Sequence, residues 1–195
     1  MDVANPIASV IPTLDGPVLG ALAGTSNPLT LSETHRLAGT GSLSGVRRVL
    51  LRLRDVGLAD DVPGGYVLNR DHVAAQAVEA LACLHGELAT RSREVLASWE
   101  GVVLLAGLYG SGARRDGDER SDIDALVVSD SPGLDELVTR LGDQIHRWTG
   151  NEAHVVGKTT ADIARLRRGN EPILQSWDRD LLVLAGDRRQ LRSVA

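Results

Sequence analysis

A chain of 195 residues can hold one large domain or two small ones, and with 43% hydrophobic and 24% charged residues it has the apolar surface for a core, so disorder is not the default. The net charge of −5 argues against a protein that coats nucleic acid non-specifically, while leaving room for a local basic face. The single cysteine rules out an intramolecular disulfide, and with no leader segment and no apolar run of bilayer-spanning length the expectation is a cytoplasmic protein with no membrane partner.

Between residues 15 and 69, short helical stretches alternate with Gly, Ser and Thr turns. Residues 18–22 are apolar. Ser32 is the expected cap of a second short helix reaching Leu37, with Glu33 in its first turn. After Gly39-Thr40-Gly41, Ser42 or Ser44 can cap a longer helix in which Val46, Val49, Leu50 and Leu53 recur at helical spacing, while Arg47, Arg48, Arg52 and Arg54 take other angles. That helix has a core face and a basic face. Leu58-Ala59 and Tyr66-Val67-Leu68 read as two short strands around a turn over 60–65.

Residues 71–99 are rich in Ala, Leu, Val and Glu and lack proline, which predicts one long helix with Gly86 as its weak point and Cys83 as a small core residue. Residues 102–108 and 122–128 are apolar runs suited to buried strands, separated by a polar loop. A helix over 134–148, a strand over 152–156, a helix over 160–168 and a strand over 181–184 complete the pattern. The expected class is mixed α/β. His35, His72, His85 and His146 show no paired metal-ligand spacing.

The segment LYGSGARRDGDERSDIDALVV carries the most chemistry. Gly110 and Ser111 follow a buried strand, where a residue without Cβ lets phosphate oxygens approach backbone N–H groups and a hydroxyl adds a donor. Asp122 and Asp124, two apart in a strand, direct both carboxylates to one face. Such a pair suits Mg²⁺, which combines carboxylates with water and substrate phosphates.

These residues resemble the signature of the DNA polymerase beta superfamily of nucleotidyltransferases, in its minimal branch: an apolar residue, Gly, Gly or Ser, a loop of about ten, then Asp, apolar, Asp. Tyr109, Gly110, Ser111, a loop ending in Ser121, then Asp122, Ile123 and Asp124 match it. The resemblance covers residues 76–195 and implies a nucleotidyltransferase domain there, a small mixed sheet flanked by helices, with 76–100 as a linker helix. It implies transfer of a nucleoside monophosphate, AMP first, from a nucleoside triphosphate such as ATP to an acceptor hydroxyl, with one or two Mg²⁺ ions. It also implies a protein acceptor, as in antitoxins that adenylylate a partner toxin, with small molecules such as aminoglycosides left open.

Minimal members usually read Gly-Ser-x-Ala-Arg-Gly. Ala113 and Arg114 fit, with Arg114 expected to face phosphate, and Arg115 stands where glycine is expected, so Gly117 is expected to take over the turn. The family places a third carboxylate on a neighbouring strand. Register puts His154 there, with Glu152 two residues earlier on the same face, and both are carried as catalytic expectations.

Residues 1–75 resemble a winged helix-turn-helix domain of the bacterial regulator type, carried by SLSGVRRVLLRLRDVGLADDVPGGYVLN. That resemblance implies operator DNA as a partner, homodimerisation over two half-sites, Ser42, Ser44, Arg47 and Arg48 at the groove-facing start of the second helix, and Arg52 or Arg54 on phosphate. The alternative for the whole chain is a transcriptional regulator whose second domain senses nucleotide or a partner without turnover.

Overall fold

A computed structural model describes residues 1–192 of the chain. It divides into two compact units, one made of Asp2 and residues 4–85, the other of Met1, Val3 and the residues from Gly86 onward. Helices combine with two small sheets, a mixed α/β class.

The first unit runs through a 3-10 turn (Pro6–Ser9), α1 (Asp15–Ala23), α2 (Leu31–Ala38), α3 (Leu43–Asp55), β1 (Ala59–Val62), β2 (Gly65–Leu68) and α4 (Ala75–Ala82). α2 starts one residue before the expected cap. Thr30, not Ser32, holds that role, because Glu33 stands three residues after it: the Thr30 hydroxyl accepts the Glu33 N–H at 3.3 Å and the Glu33 carboxylate accepts the Thr30 N–H at 2.8 Å. Ser42 caps α3, accepting the Gly45 N–H at 3.1 Å. Val46, Val49, Leu50 and Leu53 then form one buried stripe that packs with Val18, Leu19, Leu22, Leu58 and Leu68.

The β1–β2 hairpin is tighter than expected. Val62 pairs with Gly65, leaving Pro63-Gly64 as the turn, so Asp60 and Asp61 lie in β1 and not in the turn. The difference comes from Gly64 and Gly65, whose positive φ angles of 102° and 136° let the chain reverse in two residues. Leu29 adds a single antiparallel bridge to Tyr66.

The stretch expected as one helix is two, α4 and α5 (Leu84–Ala97), parted at Cys83. Each half follows its own core: Val78 of α4 packs in the first, Leu88, Ala89, Val95 and Leu96 of α5 in the second. Cys83 is accordingly exposed, not buried, and Gly86 lies inside α5.

The second unit continues with β3 (Leu105–Tyr109), α6 (Gly110–Arg114), β4 (Ile123–Val128), α7 (Leu134–Thr149), β5 (Ala153–Lys158), α8 (Thr160–Arg168), α9 (Pro172–Asp180), β6 (Leu182–Gly186) and a 3-10 turn (Arg188–Leu191). The sheet order is β5-β4-β3-β6, with β4 and β5 parallel and the other pairs antiparallel. β3 and β4 are covered on both faces, which is why each reads as an unbroken apolar run. Ala106, Leu108, Ile123, Ala125 and Val127 pack with α5 and with Leu137, Leu141 and Ile145 of α7. Leu105, Tyr109, Leu126 and Val128 pack with Ile163 of α8 and Trp177 of α9 on the other face. β3 begins later than expected because the Val102 N–H bonds the Ser131 hydroxyl at 2.9 Å, leaving that side chain outside the core. Among the described residues no helix is long and apolar enough to cross a membrane.

Candidate functional site

The antiparallel pairing of β3 with β4 brings the end of one beside the start of the other, and β5, parallel to β4, begins at the same edge. Register then sets Tyr109 opposite Asp124, and Asp124 opposite His154. Asp122 stands just before β4 and turns toward the same imidazole: His154 Nδ1 lies 3.6 Å from Asp122 Oδ2 and 3.9 Å from Asp124 Oδ1. Those distances exceed a hydrogen bond, so the imidazole lies beside both carboxylates without a directed bond to either.

Gly110 opens α6 with φ +65°, and a Cβ there would meet Asp124 Oδ2 at 2.5 Å. Glycine is therefore needed twice, for the left-handed backbone and for the close approach of the carboxylate. Ser111 follows it in α6 and its carbonyl accepts the Arg115 N–H at 2.8 Å, so the expected phosphate loop is a single helical turn. Arg115 itself takes the left-handed conformation that ends this turn, φ 59°, and Gly117 does not assume it. Gly117 instead makes room: a Cβ there would lie 2.6 Å from Ser121 Oγ and 3.0 Å from Ser111 Cβ.

The approach to Asp122 is clamped. The Asp118 carboxylate accepts the Arg120 N–H at 2.9 Å and the Ser121 hydroxyl at 3.0 Å, which holds its carboxyl below the ordinary range. The buried Asn151 amide donates to the Ser121 carbonyl at 2.9 Å and the Glu119 carbonyl at 3.3 Å. Burial raises the Asp124 carboxyl above its usual range, with Asp122 adding to the shift and His154 and Arg114 opposing it. Burial, and then the Asp124 charge, likewise push the Tyr109 phenol up. The Tyr109 ring meets Trp177 edge-on, with centroids 5.9 Å apart.

Arg114 donates through Nε to Asp116 at 2.8 Å and through Nη1 to Asp180 at 3.1 Å. Glu152 contributes its carbonyl, which accepts the Ile123 N–H at 2.8 Å, and lines a cavity of about 340 Å³ shared with Thr139, Asp143 and His146. Among the described residues no hydrogen bond or ion pair joins its carboxylate to Asp122, Asp124 or His154. His154, not Glu152, is the residue opposite Asp124.

No family model matches the chain, and no curated protein does. A solved structure, "Crystal structure of the toxin-antitoxin with AMP-PNP", is similar over 53% of this chain and 77% of that one, with 16% identity and a TM-score of 0.41.

The residues themselves decide whether a metal fits. Among the described residues no group of three or more His, Cys, Asp or Glu could hold a metal ion. A closed protein cage is therefore absent there. Two hard carboxylates on one face, with Asp124 partly desolvated, do fit Mg²⁺ taken up together with nucleotide phosphates, since that ion keeps water and phosphate ligands.

Three contributors to this region escape the sequence reading: Asn151, and Trp177 and Asp180 of α9. A signal for α9 exists in Pro172 at its first position and the spacing of Leu174, Trp177 and Leu181. On α3, Ser44, Arg47 and Arg48 lie together on the exposed face. Arg52 is instead paired with Asp15 of α1, and Arg54 with Asp55 at 2.7 Å.

Proposed function

We propose that the second unit is a Mg²⁺-dependent nucleotidyltransferase domain of the polymerase beta type, and that it transfers AMP from ATP to an acceptor hydroxyl on a partner protein. The observation that carries this reading is the close approach of the Asp124 carboxylate to Gly110, near enough to exclude a Cβ there, which sets a bare backbone turn beside a metal-type ligand. In this reading the Gly110 and Ser111 N–H groups and the Ser111 hydroxyl bind phosphate oxygens. Asp122 and Asp124 hold Mg²⁺, which when bound offsets charge on the transferred phosphate. His154 accepts the proton of the attacking hydroxyl as its oxygen bonds to the α-phosphorus and pyrophosphate departs with the electrons of the broken P–O bond. Arg114 faces the phosphates. Incubation with labelled ATP, Mg²⁺ and candidate acceptor proteins tests the site: transfer that survives Asp122→Ala combined with Asp124→Ala sinks it.

We propose that the first unit is the winged helix-turn-helix domain expected over 1–75 and the second the nucleotidyltransferase domain expected over 76–195, with the linker stretch divided between them, α4 in the first core and α5 in the second. The support for the first is the order of α2, a short turn, α3 and the β1–β2 hairpin, with Ser44, Arg47 and Arg48 on the exposed side of α3. A homodimer reading two operator half-sites follows from that assignment. Arg52, occupied by Asp15, braces α3 against α1 in this reading. Mobility shifts with upstream DNA test it, and unchanged affinity after Arg47→Ala with Arg48→Ala counts against the groove contact.

A second reading is favoured by one observation: an imidazole, not a carboxylate, lies opposite Asp124. There the unit senses nucleotide without turnover. Tight ATP binding that alters operator affinity, with no pyrophosphate released, separates it from the enzyme.

A further inference from the structure

Asp180 closes α9 with a carboxylate that is only 6% exposed. Arg179 grips it through Nε at 2.7 Å and Nη2 at 2.9 Å, and Arg114, from α6, adds Nη1 at 3.1 Å. The Arg179 bonds are the main reason its carboxyl is held down to about 2, so it stays an anion at any working pH. A two-pronged contact with one guanidinium already neutralises a carboxylate. The second cation is therefore surplus to what Asp180 needs.

Arg114, by contrast, has few alternatives. Its other tether, Asp116, is 55% exposed, and its own charge already bears on Asp124. A guanidinium released from Asp180 would be attracted by the Asp124 carboxylate, on which its charge already acts and whose oxygens a metal ion would use. Held through Nε and Nη1, it keeps the Nη2 donors free, and its side chain is 43% exposed.

We propose that Asp180 is a positioning residue that keeps Arg114 off the Asp122–Asp124 pair and presents its remaining N–H donors to a phosphate of the bound nucleotide. This rests on the nucleotidyltransferase reading of the site. It assigns α9 a function beyond packing Trp177 against Tyr109, and it explains why one buried acid joins two arginines from different helices. Asp180 touches no substrate; it acts through Arg114.

The test is a double-variant cycle on the full chain, with ATP and Mg²⁺ as the probe and calorimetry as the readout. Asp180→Asn and Arg114→Ala are each expected to weaken ATP binding about tenfold or more, as for a lost charge-assisted hydrogen bond, and the double variant no further than either alone. A merely structural Asp180 gives additive losses, and that result overturns the proposal, as does wild-type affinity in Asp180→Asn. The second readout is the Nη1–H signal of Arg114, the group bonded to Asp180, in ¹⁵N spectra, identified by its disappearance in Arg114→Ala. It is expected to collapse toward the solvent-exposed arginines in Asp180→Asn, and an unchanged signal refutes the anchoring. A wild-type chain that binds no ATP removes the nucleotide reading and with it the phosphate contact, while the Nη1–H signal still decides whether Asp180 orders Arg114. Should Asp180→Asn fail to fold, Arg114→Lys keeps the charge without the two-pronged tether; it is expected to lose ATP affinity, and full affinity in that variant overturns the proposal.

Discussion

Gly110→Ala is the sharpest probe of the site, because its two costs can be worked separately. The backbone at φ +65° lies in the left-handed region, where an L side chain costs about 1–2 kcal/mol. The added Cβ would also stand 2.5 Å from Asp124 Oδ2. An ordinary C···O contact is about 3.3–3.6 Å, so the carboxylate must retreat by about 1 Å. The first cost appears as stability: for a chain of this size it lowers the melting temperature by about 2–8 °C. The second appears as function, since a displacement of about 1 Å at a reacting centre costs about a hundredfold. Thermal melts followed by circular dichroism read the first, and Mg²⁺-ATP titration with transfer assays the second. A Gly110→Ala chain with wild-type melting, affinity and transfer refutes the close packing of this turn against Asp124.

Three further outcomes follow from the same geometry. Asp124→Asn is expected to raise the melting temperature of the metal-free chain at neutral pH while abolishing Mg²⁺-dependent transfer. Its carboxyl is raised in the folded state, so the charged form costs stability above that pKa and the cost fades as pH falls through it; the gain from Asn must shrink in melts run toward acid, and a gain constant with pH contradicts the cause assigned. Arg115→Gly removes the penalty of φ 59° and is expected to stabilise by up to about 1 kcal/mol in urea melts; destabilisation would mean that the Arg115 side chain holds the loop. Thr30→Ala removes the hydroxyl half of the capping box, leaving the backbone N–H to Glu33, and is expected to cost about 1 kcal/mol, whereas Ser32→Ala leaves urea melts unchanged.

How much of this the sequence discloses depends on how local the cause is. α8 is legible to the residue because its cap is written next to it, in Thr159 and Asp162. β3 and β4 are legible because burial on both faces leaves an apolar run. The pairing of Asp124 with His154 follows from counting along two parallel strands. The break at Cys83 is not local, since it marks where Val78 joins one core and Leu88 another. Asp180 is less legible still. As a residue it is one acid among many, between Arg179 and Leu181, and only the fold brings Arg114 to it.

The charge balance at this edge of the sheet bears on both readings of the second unit. Asp122 and Asp124 face the same imidazole nitrogen, and burial raises the cost of keeping Asp124 ionised. Arg114, the arginine best placed to relieve that cost, is bound to Asp116 and Asp180 instead. The fold thus leaves a partly desolvated carboxylate that the Arg114 charge offsets only in part and without a direct bond. Such a carboxylate costs stability when ionised, and in both proposed readings a cation arriving with the nucleotide relieves that cost, whether or not a bond is then broken. Uptake of Mg²⁺ with a nucleotide answers that imbalance in the enzyme and in the sensor alike. The two differ only at His154, where an imidazole that takes a proton from an attacking hydroxyl makes an enzyme, and one that does not leaves a nucleotide-bound switch.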